Sequence, residues 1–182
     1  TTIKNFGEGI AHSIIDERKE RGPFKNMDDF LTRVTTKNLN KKSLDALIKA
    51  GALDAFGERG QLMENMEDML AYNKTIANGP KDQGNLFGDN TDMNDLHLRD
   101  CEPMSMDQKL IWEKELLGLY VSGNPLDKFK DQFDKRDSDI AKVKAEGKEE
   151  ESVVVAGIVE DVRVIRTKRG AEMAFMKLRD YS

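Results

Sequence analysis

Among 182 residues there is one cysteine, and there are two histidines, four prolines and one tryptophan. With Cys101 alone, no disulfide can form inside the chain, and a reducing cytoplasm is the natural setting. His12 and His97 have no neighbours at metal-ligand spacing and read as surface or partly buried histidines. No apolar run approaches the roughly 18 residues that a membrane span needs. The charged start lacks the apolar stretch of a signal peptide, so no membrane association is expected. Also missing are a P-loop, a nucleophile elbow, a Cys/His zinc set and a carboxylate cluster for two-metal phosphoryl transfer. The Gly-Glu-Gly at residues 7–9 is no dinucleotide fingerprint, because no strand precedes it. No catalytic residue, metal or cofactor is therefore expected within these residues.

What is abundant is charge, at 35% of residues against 38% hydrophobic, which suits a soluble folded chain with much exposed surface. The net charge of −5 argues against a nucleic-acid binder, but its distribution changes that reading. Residues 1–60 hold 11 Lys/Arg against 9 Asp/Glu, residues 61–117 hold 5 against 12, and residues 118–182 balance. The acid gathers in the middle, and both ends can still present basic surfaces.

Hydrophobic spacing predicts short helices joined by tight turns over residues 1–60. Ile10, Ile14 and Ile15 recur at helical spacing until Gly22-Pro23 stops them. Residues 28–34 suggest another short helix. Asn40 is a candidate N-cap for a helix over 41–50, whose apolar face is Leu44, Leu47 and Ile48, and Gly51 a candidate left-handed C-cap. Residues 59–74 place Leu62, Met66, Met69, Leu70 and Asn73 on one stripe, as in a single amphipathic helix. Helical character resumes at 107–120 and breaks at Gly123-Asn124-Pro125. After a charged, helix-prone stretch the period changes: 152–165 reads as a strand, RTKRGAE as a turn and MAFMKLRD as a second strand. Two strands alone are marginal in water, so the expectation is a fragment of a β domain.

Three stretches suggest chemistry. IKNFGEGIAHSII has the form of a turn between two helices, with Gly7 and Gly9 at the turn and Asn5, which tolerates left-handed backbone, before them. Such a turn bares backbone N–H groups at a helix N-terminus, where they and the helix dipole can hold a phosphate, beside Lys4. The same turn serves equally well as a plain helix connector. LDALIKAGALDAFG repeats the pattern of apolar helix and small-residue turn, and together the two suggest a tandem helix-hairpin-helix module. Near the end, Arg163, Arg166, Lys168 and Arg169 lie on or beside the strand-pair turn, where a small barrel of the OB type contacts single strands; a solvated hairpin tip is the alternative. Phe175 is expected to face the barrel core. The third stretch is KDQGNLFGDN, inside a Gly-, Asp- and Asn-rich loop without helical or strand period. A flexible, acidic loop with two large apolar side chains suits a peptide ligand, with Gln83 fixing register and Leu86 and Phe87 as anchors. Alternatively, Leu86 and Phe87 tuck into the chain's own surface.

In order along the chain, IKNFGEG, ERGPFKNMDDF, LNKKSLDALIKAGALDAFG, QGNLFG, WEKELLGLYVSGNPL and VVVAGIVEDVRVIRTKRG with MAFMKLRD resemble the alpha subunit of bacterial DNA polymerase III, the C-family replicative polymerases. The resemblance covers nearly the whole chain. It implies a mainly α region with a small β part, lying beyond the polymerase's palm, thumb and fingers. Its expected parts are a tandem helix-hairpin-helix module at 1–77, a flexible loop with a clamp-binding peptide at 78–106, linker helices at 107–151 and the first strands of an OB domain at 152–182. The implied partners are double-stranded DNA held by its backbone at Lys4, Asn5, Gly7 and Gly9, and single-stranded DNA at Arg166, Lys168 and Arg169. The family's clamp peptide, Gln-x-x-Leu/Met-Phe, falls on Gln83, Leu86 and Phe87, which implies the β sliding clamp as a partner; other replisome subunits are possible partners too. The resemblance places the catalytic aspartates, with their Mg2+, outside these residues, and the setting in the bacterial cytoplasm. Asn5 stands where the family often has Gly, and Asn124 where it usually has His. Other readings are a protein-interaction scaffold with purely structural hairpins, a ligase or repair nuclease with similar modules, and a polymerase paralogue of mutagenic repair.

Overall fold

The computed structural model describes residues 3–78, 96–136, 139–148, 150–168 and 170–181. The chain is mainly α with one small two-stranded sheet, and it divides into two compact units, Thr1–Gly123 and Asn124–Ser182.

The first unit contains α1 (Glu8–Arg21), α2 (Met27–Arg33), α3 (Lys41–Lys49), α4 (Arg59–Glu64), α5 (Met66–Asn78) and α6 (Met106–Leu117). The local chemistry explains most ends. Asn26 accepts from the Asp29 N–H to start α2, and Ser105 accepts from the Gln108 N–H to start α6. At α3, Asn40 and Ser43 cap each other's backbone in a capping box. The α3 end is a Schellman motif: Ala52 N–H donates to Leu47 C=O and Gly51 N–H to Ile48 C=O, with Gly51 at φ 76°. Leu44, Leu47 and Ile48 point inward and meet Phe30, Leu31, Leu62 and Met69 in one core, which Ile10 joins from α1. Ile15 instead faces outward, half-exposed. The stripe read as one helix over 59–74 is two. Asn65 interrupts it, and its buried side chain pairs with the backbone of Arg99 in both directions, at 2.8 and 2.9 Å.

Two arginines organise this unit from inside. Arg33 donates to the C=O groups of Glu17 (2.8 Å) and Gly22 (2.9 Å) at the end of α1, pairs with Asp29 and lies 4.3 Å over the Phe24 ring. Arg59, 2% exposed, donates to Asp54, to Lys49 C=O, to Ser122 Oγ and to Glu113 of α6 at 2.8 Å. Glu113 is itself fully buried, and its second oxygen accepts the N–H groups of Val121 (2.6 Å) and Ser122 (2.9 Å). A Cβ on Gly51 would stand 2.2 Å from Arg59 Nη2, so the guanidinium occupies the space that only glycine leaves. Gly118, which ends α6 at φ 78°, has open space at the same position; there the backbone angle alone favours glycine.

Residues 96–105 carry neither helix nor strand, yet they are held. Leu96 and Leu98 pack on the core, Arg99 pairs with Asp68, and the Met104 N–H donates to Glu58. This part of the stretch read from sequence as a flexible loop is fastened to α4 and α5.

In the second unit, Asn124 accepts from the Leu126 N–H, and its own N–H donates to Asp127, closing a turn before a short 3-10 helix (Asp127–Phe129) and α7 (Lys130–Phe133). α8 (Ile140–Glu146) is capped by Asp139, and its first N–H donates to the buried Asp180. Strands β1 (Ile158–Arg166) and β2 (Glu172–Arg179) pair antiparallel, with an irregularity at Glu160. β1 begins six residues later than alternation suggested. Val162, Val164 and Met176 on one face are exposed, and so is Phe175 (55%) on the other. Among the described residues nothing covers Phe175, which differs from the expected inward placement.

Burial disfavours the charged form of Glu113. Four donors, from Ser122 (two), Val121 and Arg59, outweigh it and hold its carboxyl down at about 2 from an ordinary value of 4.5. A carboxyl depressed on folding stabilises above its unfolded pKa, and that stability is lost as pH falls. Glu113→Gln should therefore destabilise the first unit near neutral pH by about 3–5 kcal/mol, the usual cost of breaking a buried pair. The gap between wild type and variant should close as pH falls from about 4.5 towards 2. Urea unfolding curves across that range measure it.

Candidate nucleic-acid interface

The four residues picked out near the start lie together on one exposed turn. Ile3 and Phe6 pack against the core and anchor it, while Lys4, Asn5, Gly7 and Gly9 are exposed. The Lys4 backbone N–H donates to Leu116 C=O at the end of α6, 2.9 Å away. Asn5 takes the left-handed conformation, φ 63°; an Asn does so at less strain than most residues. So the turn's unusual backbone sits at Asn5 and not at the glycines. Gly7 is the N-cap of α1, with extended backbone, and Gly9 lies within the first helical turn. Among the described residues no helix precedes this turn.

Gly7 has no side chain with which to cap, so no N-cap side chain accepts from the first N–H groups of α1, of which that of Ala11 donates to Gly7 C=O. By contrast, side chains cap α2, α3, α4, α6 and α8. The helix dipole places partial positive charge at this end, and Lys4 adds a full one. Glu8 in the first turn works against both. A Cβ on Gly9 would stand 2.8 Å from Asn38 Nδ2, so the 38 side chain rests on this turn.

The second small-residue turn differs. The N–H groups of Gly51, Ala52, Asp54 and Phe56 are all used in internal bonds, and Arg59 fills the turn from behind. These four donors are not free for a phosphate.

At the β hairpin, Arg166 Nε donates to Gly170 C=O at 3.4 Å, Thr167 and Ala171 close the turn, and Lys168 is exposed at the tip. Arg169 lies outside the described residues, as do Gln83, Leu86 and Phe87. Among the described residues, no three His, Cys, Asp or Glu side chains are grouped so as to hold a metal ion, and no helix is long and apolar enough to cross a membrane.

Sequence reasoning missed the buried polar set, Arg59, Asn65, Asn73 and Glu113, and the partly buried Arg33. Asn73 was assigned to the apolar stripe, and it does face inward, where its amide donates to the C=O groups of Leu31 and Val34. Only a charged or amide residue on an otherwise apolar face could have signalled such a role.

A family model described as a helix-hairpin-helix motif matches residues 1–62. DNA polymerase III subunit alpha of Thermus aquaticus is 33% identical over 99% of this chain, which spans 15% of that protein. The same subunit of Borreliella burgdorferi is 36% identical over 98% of the chain and 16% of its own length. That of Deinococcus radiodurans is 38% identical over 99% and 14%. The chain thus spans about one-seventh of the length of the relatives it matches. With collinear identity from end to end and a helix-hairpin-helix match over its first third, the chain belongs to the DNA polymerase III alpha subunits, of which it corresponds to one segment.

Proposed function

We propose that this segment is a non-catalytic, DNA- and clamp-binding region of a replicative polymerase alpha subunit. It holds duplex DNA by backbone phosphates and tethers the polymerase to the β sliding clamp during synthesis. The observation that carries the DNA part is the exposed Lys4–Gly9 turn, with uncapped α1 amides, inside the stretch that matches the helix-hairpin-helix model. Contacts to phosphate alone position a duplex without reading its sequence, which is what a polymerase needs behind its active site. Lys168 and Arg166, with Arg169, would offer single-stranded DNA a basic tip. The clamp part rests on Gln83, Leu86 and Phe87, whose pattern suits a short peptide ligand. Weak contacts suffice here, because attachment to DNA raises the effective concentration of each. The nucleotidyl transfer itself, with its Mg2+, belongs to other parts of the parent chain, in the bacterial cytoplasm, where other replisome subunits are further partners.

Gly7→Asp separates this reading from a structural turn. Gly7 has extended backbone and open space, so an aspartate fits. It would cap α1 itself and raise stability by a few tenths of a kcal/mol, since glycine is already a tolerated N-cap. The same carboxylate would occupy the amides and repel phosphate. Thermal melts should show a more stable protein, and fluorescence anisotropy a duplex affinity lower by about tenfold or more. Unchanged affinity in the stabilised variant contradicts phosphate binding at this turn. For the clamp, titration of the chain with purified β ring should show binding that the Leu86→Ala/Phe87→Ala double variant loses. Equal binding by both proteins rules out the peptide.

A further inference from the structure

Between the loop over 35–41 and the outer face of α5 runs a groove of about 830 Å³. Lys37 and Lys41 line one wall and Lys74 the other, with Thr36, Asn40 and other uncharged residues between them. Glu67 is the one acid in the lining, and it pairs with Lys41 at 2.8 Å while both stay exposed. An exposed pair of this kind is weak and salt-screened, so Lys41 can trade Glu67 for another anion. Lys37 and Lys74 are exposed and have no ion-pair partner among the described residues.

The surroundings give the groove a direction. Thr35 and Thr36 also border a second cleft, on the other side of the same loop, which carries Asp16, Glu17 and Glu20 against one cation, Arg33, which pairs with Glu17. The loop therefore divides an acidic face on α1 from a basic groove on α5. Asn38, next to Lys37, rests on the first turn of α1, so the loop that carries Lys37 touches the turn proposed to hold the duplex.

We propose that this groove is a second contact for the nucleic-acid backbone, in which Lys37, Lys41 and Lys74 neutralise phosphates of the duplex held at the α1 turn. The proposal rests on the DNA-binding reading above and extends it to a surface outside the two small-residue turns. Phosphate is the chemistry that three flexible ammonium groups and neutral hydroxyl and amide neighbours accept without regard to base. The acidic cleft across the loop would turn the duplex towards α5 and away from the outer face of α1.

Salt dependence tests it. Each neutralised phosphate contributes about 0.9 to the slope of log K against log salt. A Lys37→Gln/Lys74→Gln variant of the whole chain, titrated with a short duplex at several salt concentrations, should show a slope smaller by about 2. Its affinity should fall most at low salt. A Lys19→Gln/Lys144→Gln variant, with the same change in net charge elsewhere on the surface, should keep the wild-type slope. Circular dichroism and melting curves check that both variants fold, as exposed lysines allow. An unchanged slope in Lys37→Gln/Lys74→Gln, or an equal loss in the control pair, overturns the groove while wild-type binding leaves the α1 reading in place. Absence of wild-type binding overturns both.

Discussion

The buried pair between Arg59 and Glu113 is the constraint around which the first unit is arranged. It joins residues 54 positions apart, one at the start of α4 and one in the middle of α6. Two charges removed from water would be costly alone. Here both charges are partnered: Asp54, Lys49 C=O and Ser122 accept from the arginine, and the Val121 and Ser122 amides donate to the carboxylate. No buried side-chain polar atom among the described residues lacks a partner. The pair therefore fixes geometry: it sets the Gly51 turn, the start of α4 and the path of residues 121–122 relative to one another.

Arg33 does for the end of α1 what Arg59 does for the end of α3. Each guanidinium reaches at least one carbonyl at a helix C-terminus, two for Arg33 and one for Arg59, and pairs with an aspartate a few residues away. Each stands beside a left-handed glycine, Gly22 or Gly51. The helices are short, 7 to 14 residues in the first five cases where one excepts the six-residue α4, and such lengths are marginal in isolation. Their order comes from the shared core and from these plugs at their ends. The consequence for function is a division of labour. The turn at Gly51 is stitched and filled from behind, while the turn at Asn5–Gly7 is anchored by Ile3, Phe6 and the Lys4–Leu116 bond and has no side-chain cap on α1; on the reading proposed above, the first is scaffold and the second the contact.

Much of this was legible in the chain itself, because the signals are local. The Asn40 cap, the Gly51 stop, the left-handed tolerance of Asn5 and the turn between the strands each depend on a few neighbouring residues. The failures have a common cause in long-range pairing. The stripe over 59–74 looked continuous because Asn65 breaks it through the backbone of Arg99, 34 residues on. Nothing near Gly51 announces that Arg59 will fill the second turn from behind. The fastening of residues 96–105 likewise depends on Glu58, Gln61 and Asp68, far earlier in the chain. Family likeness supplied what local pattern could not, the assignment to polymerase alpha subunits, and the structure then distinguished the two turns that the likeness treats alike.

That distinction is the centre of the account, and amide NMR addresses it residue by residue. A nitrogen-labelled chain titrated with duplex DNA should show the largest shift changes at Asn5 to Ile10, and little at Gly51 to Phe56. Changes centred on Gly51 to Phe56, with Asn5 to Ile10 unmoved, would contradict it.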